Sequence, residues 1–226
     1  MSLTDSQEII LALVPKVTGA LGMMGSAIIL SNIWSSRDKS NPMLRALFGM
    51  SAFYLFDAMS WFLSSWMSPS STGFAFAIGN VSTCSFQGFW LQAVIAGPLY
   101  NAVMACYFYL VACHAASRDK LRRLEPFLHT AVLFFALGTS IVFLQDDQFN
   151  PIGAVCWVNG SPPQCGSSTF KENPDVPCER GDHAWLYGML VFYLPLWLCI
   201  VLLVYFNSRI YFSGLSDADA KWVAQQ

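Results

Sequence analysis

Five long runs of apolar residues constrain this chain more than any other feature of its sequence. A bilayer core about 30 Å thick needs a helix of about 20 apolar residues to cross it. With 55% apolar and only 12% charged residues, the 226-residue chain also lies outside the usual range of soluble proteins. The runs occupy residues 9–33, 43–67, 86–113, 126–144 and 184–206. They predict an all-α integral membrane protein, a bundle of about five transmembrane helices.

The remaining segments are predicted to be loops and ends of this bundle, which we expect to occupy residues 1–212. Residues 145–183 are rich in proline, glycine and asparagine and carry three cysteines, which predicts a long, disulfide-bonded outer loop. Residues 213–226 are predicted to be a cytoplasmic tail or the start of a sixth helix. Residues 1–8 are acidic and the first run is too long for a cleavable signal peptide, so we expect the first helix to stay in the protein.

Most lysines and arginines lie in segments that would share one side of the membrane. They are Arg37, Lys39 and Arg45 between the first two runs, Arg118, Lys120, Arg122 and Arg123 between the third and fourth, and Arg209 and Lys221 after the fifth. Because cytoplasmic loops carry an excess of basic residues, the amino terminus is predicted to lie outside and the carboxyl terminus in the cytoplasm. This topology, in a multi-pass protein of the plasma membrane, explains the basic residues better than nucleic-acid binding does.

The segments assigned to the outside carry two glycosylation signals and four of the seven cysteines. Asn80 and Asn159 each begin an Asn-x-Ser pattern. The outer cysteines are Cys84, Cys156, Cys165 and Cys178. An oxidising compartment favours disulfides, and four cysteines allow three pairings that the sequence alone does not separate. A zinc site is the alternative, which the wide spacing of these cysteines disfavours.

Two ionisable residues fall inside the predicted spans. A charge at the bilayer centre costs about 2.5–3.5 kcal/mol on insertion scales, so each needs a partner or a water-filled cavity. Asp57 lies near the middle of the second run, with Ser60 and Ser64 at helical spacing. Lys16 lies at a similar depth in the first run, which makes a Lys16–Asp57 salt bridge one hypothesis. The alternative is that Lys16 extends toward the outer surface while Asp57 binds serines, water or a cation.

The third run contains Pro98, which can kink a helix, followed by Asn101. Asn101 is a candidate for ligand contact, and an interhelical hydrogen bond is the alternative use of such a residue. No Walker loop, His-Glu-x-x-His or Gly-x-Ser-x-Gly motif occurs, and the three histidines lie at three different helix ends. We therefore predict neither an enzyme nor a bound metal or cofactor.

A cysteine at the outer start of the third run and a Cys-Trp pair in the next outer loop together resemble the seven-helix G-protein-coupled receptors. Cys84 and Cys156-Trp157 carry this resemblance. The Cys-Trp pair, and the basic segment 118–129 with Pro126 placed as a first helical residue, look like the secretin-like and cyclic-AMP-receptor-like branch. The rhodopsin-like branch normally has Asp-Arg-Tyr at the inner end of the third helix, where this chain has Cys-His-Ala-Ala at residues 113–116.

The resemblance implies disulfides between Cys84 and Cys156 and between Cys165 and Cys178. It also implies that the chain holds the first five of seven helices, as a reading frame truncated after the fifth would. The implied function is sensing of an extracellular ligand, with Trp157 as a candidate contact, and signalling through a heterotrimeric G protein. The G protein would meet the basic cluster, which consists of Arg118, Lys120, Arg122 and Arg123, although these four charges could equally contact lipid headgroups.

Other classes of function remain open on the sequence. A product of five helices would be inactive alone, or a modulator of complete receptors, if signalling needs movement between helices five and six. A structural or adhesion protein with a disulfide-bonded outer loop is a further alternative. A transporter or channel subunit would use Asp57 and Lys16 on an ion path, but neither an internal repeat nor a pair of broken helices is present in the sequence.

Overall fold

The computed structural model describes residues 4–38, 41–162, 165 and 177–224, with side chains as far as residue 214. Within these residues, five helical segments are long and apolar enough to cross a membrane. The predicted fold class, a helical membrane bundle, is confirmed. A two-stranded hairpin in the loop after the fourth segment is the one addition to this all-helical plan among the described residues.

The five spans contain seven α-helices. A 3₁₀ turn extends span two, and a π-helical turn lies within span five. Span one is α1 (Asp5–Ser35), and span two is α2 (Pro42–Leu63) with a 3₁₀ turn (Ser64–Met67). Span three joins α3 (Val81–Ala93) to α4 (Ala96–His114), and span four is α5 (Arg118–Gln145). Span five joins α6 (Ala184–Tyr187), a π-helical turn (Gly188–Tyr193) and α7 (Leu194–Ala224). The hairpin pairs β1 (Phe149–Ile152) with β2 (Val155–Val158) in antiparallel register.

Two helix boundaries differ from those predicted by eight residues or more. The fourth helix begins at Arg118, because the Ser117 side chain accepts a hydrogen bond from the Lys120 backbone N–H and so caps a polar first turn. Pro126 therefore lies inside α5 and is not its first residue. The segment expected to form a tail or begin a sixth helix instead continues α7 without a break as far as Ala224.

The break in span three lies where Pro98 predicts it. Proline has no backbone N–H, and its ring clashes with the carbonyl four residues earlier, which here belongs to Val94. The helix is interrupted at Val94 and Ile95, between α3 and α4. The freed Val94 carbonyl is satisfied by the Gly97 N–H at 2.8 Å. Span three thus consists of two helical segments joined at buried residues, since Ile95 and Ala96 are both 0% exposed.

The bundle has two chemically different ends. The disulfide end carries the hairpin and the bond between Cys84 and Cys156. The basic end carries the first turns of α5, with all four members of the basic cluster exposed. Since span three runs from one end to the other, these two groups lie on opposite sides of any membrane that the bundle crosses. The fully buried core between α2, α4 and α5 contains Tyr100, Ile95 and Ala136.

Spans one and two pack backbone against backbone at Gly19. A Cβ atom added there would lie 2.4 Å from the Phe62 backbone N and 2.6 Å from the Ala58 backbone O. Small residues permit such close approach in membrane bundles, where apolar burial supplies little force between helices. Gly25, on the same helix, has no atom within 4 Å of its added Cβ.

We expect Gly19→Ala to lower the free energy of unfolding by about 1–3 kcal/mol, because the two helices must separate to admit a methyl group. Gly25→Ala is the matched control and is expected to change stability by less than about 0.5 kcal/mol. The midpoint of unfolding in detergent, followed by tryptophan fluorescence, measures both. Equal effects of the two substitutions would contradict this packing.

Candidate functional site

The hairpin lies against α3 at the disulfide end. Phe149 in β1 is 1% exposed, and its ring fills the space left by Gly88, where an added Cβ would lie 2.6 Å from ring atoms. The Cys84–Cys156 disulfide ties the start of α3 to β2. A second disulfide joins Cys165 to Cys178. The structure therefore contains both pairings that the receptor resemblance implies.

Gln87 connects this hairpin to spans two and three. Its Nε2 donates hydrogen bonds to the backbone carbonyls of Ser60 at 2.9 Å and Ser64 at 3.1 Å. Its Oε1 accepts a hydrogen bond from the Cys156 backbone N–H at 2.9 Å. The side chain is completely buried. Gln87 is not among the residues predicted from the sequence; its signal there is a glutamine one turn after Cys84 in a mostly apolar run.

Trp157 projects from β2 between spans three and five. Its indole Nε1 donates a hydrogen bond to Gln92 Oε1 at 3.2 Å, and its ring packs edge-on against Phe192 with 4.9 Å between centroids. Tyr193 lies on the same side at 6.0 Å. Gln92 is fully buried, and its Nε2 has no hydrogen-bond partner among the residues that the structure describes. A buried amide donor of this kind calls for an acceptor from water or a ligand.

The structure does not pair Lys16 with Asp57. The Lys16 ammonium donates a hydrogen bond to the Leu63 carbonyl at 3.1 Å and lies 3.9 Å from the centre of the Trp66 ring. Leu63 lies where α2 passes into the 3₁₀ turn, and its carbonyl sits near the negative end of the α2 dipole. The salt-bridge hypothesis is wrong because depth along a helix does not determine the direction of a side chain. The alternative, in which Lys16 and Asp57 do not pair, agrees better with these contacts, which direct Lys16 toward the disulfide end.

Asp57 lies in an open groove between α1 and α2, which Trp61 also lines. The two serines of its predicted stripe have other partners: Ser60 Oγ donates to the Phe56 carbonyl, and Ser64 Oγ donates to the Ala154 carbonyl. Asn101 is exposed on α4 and hydrogen-bonds to none of the described residues. The interhelical hydrogen bond considered for Asn101 is therefore not formed.

A second polar cluster, also missed by sequence analysis, lies near the basic end and joins spans two, three and four. Glu125 is buried, and both of its carboxylate oxygens accept hydrogen bonds from the Arg45 guanidinium. His129 Nε2 lies 3.4 Å from Glu125 Oε1, and His129 Nδ1 lies 3.0 Å from the Tyr100 hydroxyl. The side chains of Arg45, Glu125, His129 and Tyr100 therefore form one continuous series of polar contacts between the three helices. Sequence analysis assigned Arg45 to topology and left Glu125 in a loop.

The remaining predicted residues lie at the two surfaces. Asn80 is exposed and caps α3 by accepting a hydrogen bond from the Thr83 N–H, whereas Asn159 is half-buried and donates a hydrogen bond to the Pro151 carbonyl. Arg118 forms an exposed ion pair with Asp38 at 3.2 Å. Among the described residues, no group of three or more His, Cys, Asp or Glu side chains is arranged to hold a metal ion.

Replacing Gln87 with leucine is expected to lower the free energy of unfolding by about 2–3 kcal/mol. The substitution removes three hydrogen bonds and leaves the buried Cys156 N–H without an acceptor. It should also make the Cys84–Cys156 disulfide easier to reduce, because the hairpin loses the hydrogen bond to the bundle that lies next to this disulfide. Gln145→Leu, at the exposed end of α5, is the matched control. The interpretation fails if both variants unfold and react with dithiothreitol as the unaltered protein does.

Two double-mutant cycles should give opposite results. Lys16→Met and Asp57→Asn should change stability additively, within about 0.5 kcal/mol, because the two side chains do not touch. Arg45→Met and Glu125→Gln should show a coupling energy of about 1–2 kcal/mol, because the pair is bidentate and the Glu125 side chain is only 10% exposed. Unfolding midpoints of the four single and two double variants measure both. Coupling in the first cycle or additivity in the second would contradict the contacts.

The comparisons with known proteins show the fold and leave the family open. No protein-family model matches the chain, and no curated protein matches it. Among solved structures the chain is similar to squid rhodopsin, with a TM-score of 0.67 and 14% sequence identity, over 100% of this chain and 61% of that one. The chain thus spans about three fifths of the length of the rhodopsin that it matches. At this identity the likeness shows the fold alone, and that fold is a rhodopsin-like helical membrane bundle.

Proposed function

We propose that this chain is a receptor-type membrane protein that senses an extracellular ligand at its disulfide end and signals through a heterotrimeric G protein at its basic end. The observation that carries the proposal is the hairpin, which the Cys84–Cys156 disulfide ties to span three and which places Trp157 between spans three and five. The likeness of the bundle to squid rhodopsin, a G-protein-coupled receptor, supports it at the level of the fold.

The proposed ligand position is the contact region of Trp157 on α3 and span five. Its neighbours there are aromatic or uncharged, and Gln92 Nε2 is a buried donor with no acceptor among the described residues. These features favour an uncharged ligand that offers a hydrogen-bond acceptor next to an apolar body. Neither Asp57 nor Lys16 contacts this region, so we place both outside it.

We propose the orientation with the disulfide end outside and the basic end in the cytoplasm. The two disulfides favour an oxidising compartment at one end, and the exposed basic cluster favours the cytoplasm at the other. Asn80 is the better glycosylation candidate of the two, because it is exposed whereas the Asn159 side chain is half-buried. The plasma membrane is the compartment that fits an extracellular ligand.

We further propose that the chain corresponds to the first five helices of a seven-helix receptor of the secretin-like or cyclic-AMP-receptor-like branch. The Cys156-Trp157 pair and the lack of Asp-Arg-Tyr at the end of α4 support this branch. Asp57 and Asn101 support further helices, since both are polar residues within spans on faces that the described helices leave open. Two more spans would supply their neighbours.

The basic cluster offers a direct test of G-protein contact. Lys120 and Arg123 are the members to change, because Arg118 pairs with Asp38 and Arg122 makes an interaction of its own. In phosphatidylcholine nanodiscs, we expect the unaltered chain to bind a purified heterotrimeric G protein and the Lys120→Gln, Arg123→Gln variant to bind it at least tenfold more weakly. Surface plasmon resonance measures both affinities. The test measures binding alone and does not require the five described helices to stimulate nucleotide exchange on the G protein.

The charge-preserving variant Lys120→Arg, Arg123→Lys is the matched control and should keep the affinity within about threefold. A chain that binds no heterotrimer would overturn the proposal. The proposal is also overturned if the Lys120→Gln, Arg123→Gln variant loses affinity for phosphatidylserine vesicles but not for the heterotrimer. The basic cluster would then contact lipid headgroups, and the chain would be a structural or modulating protein.

A further inference from the structure

The loop between spans two and three, residues 68–80, carries an exposed apolar surface at the disulfide end of the bundle. Phe76 is 49% exposed and Ile78 is 75% exposed, and we call these two side chains the apolar edge of the loop. No residue from Ser68 to Ser85 is charged. Single exposed apolar residues are common on protein surfaces, so the position of the apolar edge decides what it contacts.

The same loop separates polar from apolar side chains along its length. Its first half contains a 3₁₀ turn, Ser70–Thr72, whose three hydroxyl-bearing side chains are exposed. In its second half, Phe74 is half-buried near the hairpin turn, with a ring atom 3.9 Å from the Cβ position of Gly153. The apolar edge follows Phe74 but stays exposed. The loop is therefore amphipathic, with a polar half that suits water and an apolar edge that does not.

The apolar edge is held close to the lipid-facing surface of spans two and three. Span three begins at Val81, which is 50% exposed on the first turn of α3. Ile78 is three residues before it, a distance of at most about 11 Å, whereas the headgroup layer beside the hydrocarbon core is about 5–8 Å thick. On the other side, the Gly79 N–H donates a hydrogen bond to the Ser68 carbonyl at 2.9 Å, one residue after span two ends. The apolar edge thus continues the surface that already meets lipid.

Hydrogen bonds within the loop lower the cost of bringing its backbone to the membrane, where unpaired polar groups are unfavourable. The Ser70 N–H donates to the Gly79 carbonyl at 3.1 Å, which closes the base of the loop. The Ala77 N–H donates to the Phe74 carbonyl at 3.0 Å, which closes the turn that carries Phe76. Water among the headgroups can satisfy the backbone groups that remain.

We propose that the apolar edge inserts into the leaflet at the disulfide end and anchors the loop in the membrane interface. The partner is the boundary between headgroups and acyl chains, which accepts aromatic and aliphatic side chains and disfavours charged ones. The polar half of the loop stays in water. Since α3 begins beside this loop, the anchor holds the start of span three and its Cys84 disulfide at a fixed depth. This surface is independent of the ligand and G-protein contacts proposed above.

Spin labelling of the full chain in phosphatidylcholine nanodiscs measures the depth of the loop. Ser82→Ala removes the glycosylation pattern of Asn80, so that no glycan competes with the membrane. A nitroxide on Ile78→Cys should collide mainly with oxygen, which concentrates in lipid, and a nitroxide on Ser71→Cys mainly with a water-soluble nickel chelate. We expect the ratio of oxygen to nickel collisions to be at least about fivefold higher at position 78. The cysteines outside the disulfides are first replaced with alanine; they are Cys106, Cys113 and Cys199.

A second pair of variants tests the apolar edge itself. In the chain labelled at position 78, Phe76→Asp should lower the ratio of oxygen to nickel collisions at least about threefold, because a charge on the apolar edge disfavours insertion. Ser70→Asp, which adds the same charge to the polar half, is the matched control and should leave the ratio unchanged. All these substitutions are at exposed positions of the loop, so the packing of the bundle is not altered.

The proposal is overturned if positions 78 and 71 give equal collision ratios, since the apolar edge would then lie in water and be open to a soluble protein partner. Equal effects of Phe76→Asp and Ser70→Asp on the label at position 78 would also overturn it. In that case the loop would lie near the membrane without using its apolar edge.

Discussion

The disulfide end of this bundle depends on one buried side chain, Gln87. Hydrocarbon offers no hydrogen bonds to a polar group, so each backbone amide near the membrane must be satisfied by protein. Gln87 satisfies groups from two other elements at once: the carbonyls at the end of α2 and the Cys156 N–H of the hairpin. The disulfide next to it fixes the distance between hairpin and α3, and Gln87 fixes their relative rotation. Trp157, the next residue along, reaches span five from that fixed position.

The same requirement explains the irregular parts of the helices. At Leu63 the α2 helix passes into a 3₁₀ turn, and the Leu63 carbonyl accepts a hydrogen bond from the Lys16 ammonium of span one. The carbonyl near the end of α2 and the face of the Trp66 ring both carry partial negative charge. Both therefore attract the Lys16 ammonium, which lies within a span. At Pro98 the lost hydrogen bond is replaced by a tighter turn, in which the Gly97 N–H reaches Val94. Neither irregularity leaves its backbone carbonyl unsatisfied.

Features set by a local stretch of sequence could be predicted, whereas contacts between residues far apart in the sequence could not. The number of spans follows from the length of the apolar runs, because bilayer thickness sets that length. Both disulfide pairings came from the receptor resemblance and not from spacing. The Arg45–Glu125 pair was out of reach, because the two residues are 80 positions apart and hydropathy places each near the end of a run. The Lys16–Asp57 hypothesis shows the same limit: hydropathy gives depth, but the rotation of a helix depends on its packing.

The joint in span three separates the two polar sites of the bundle. Gln92, which accepts a hydrogen bond from Trp157, is near the end of α3, whereas Tyr100, whose hydroxyl lies 3.0 Å from His129 Nδ1, is in the first turns of α4. Val94 and Ile95 lie between them and are the residues at which the helix is interrupted. A continuous helix would transmit a displacement of one site rigidly to the other, but a joint can absorb part of it by changes in a few backbone angles. The interruption begins four residues before Pro98, so the Trp157 contacts and the Tyr100–His129 contact belong to different helical segments of span three.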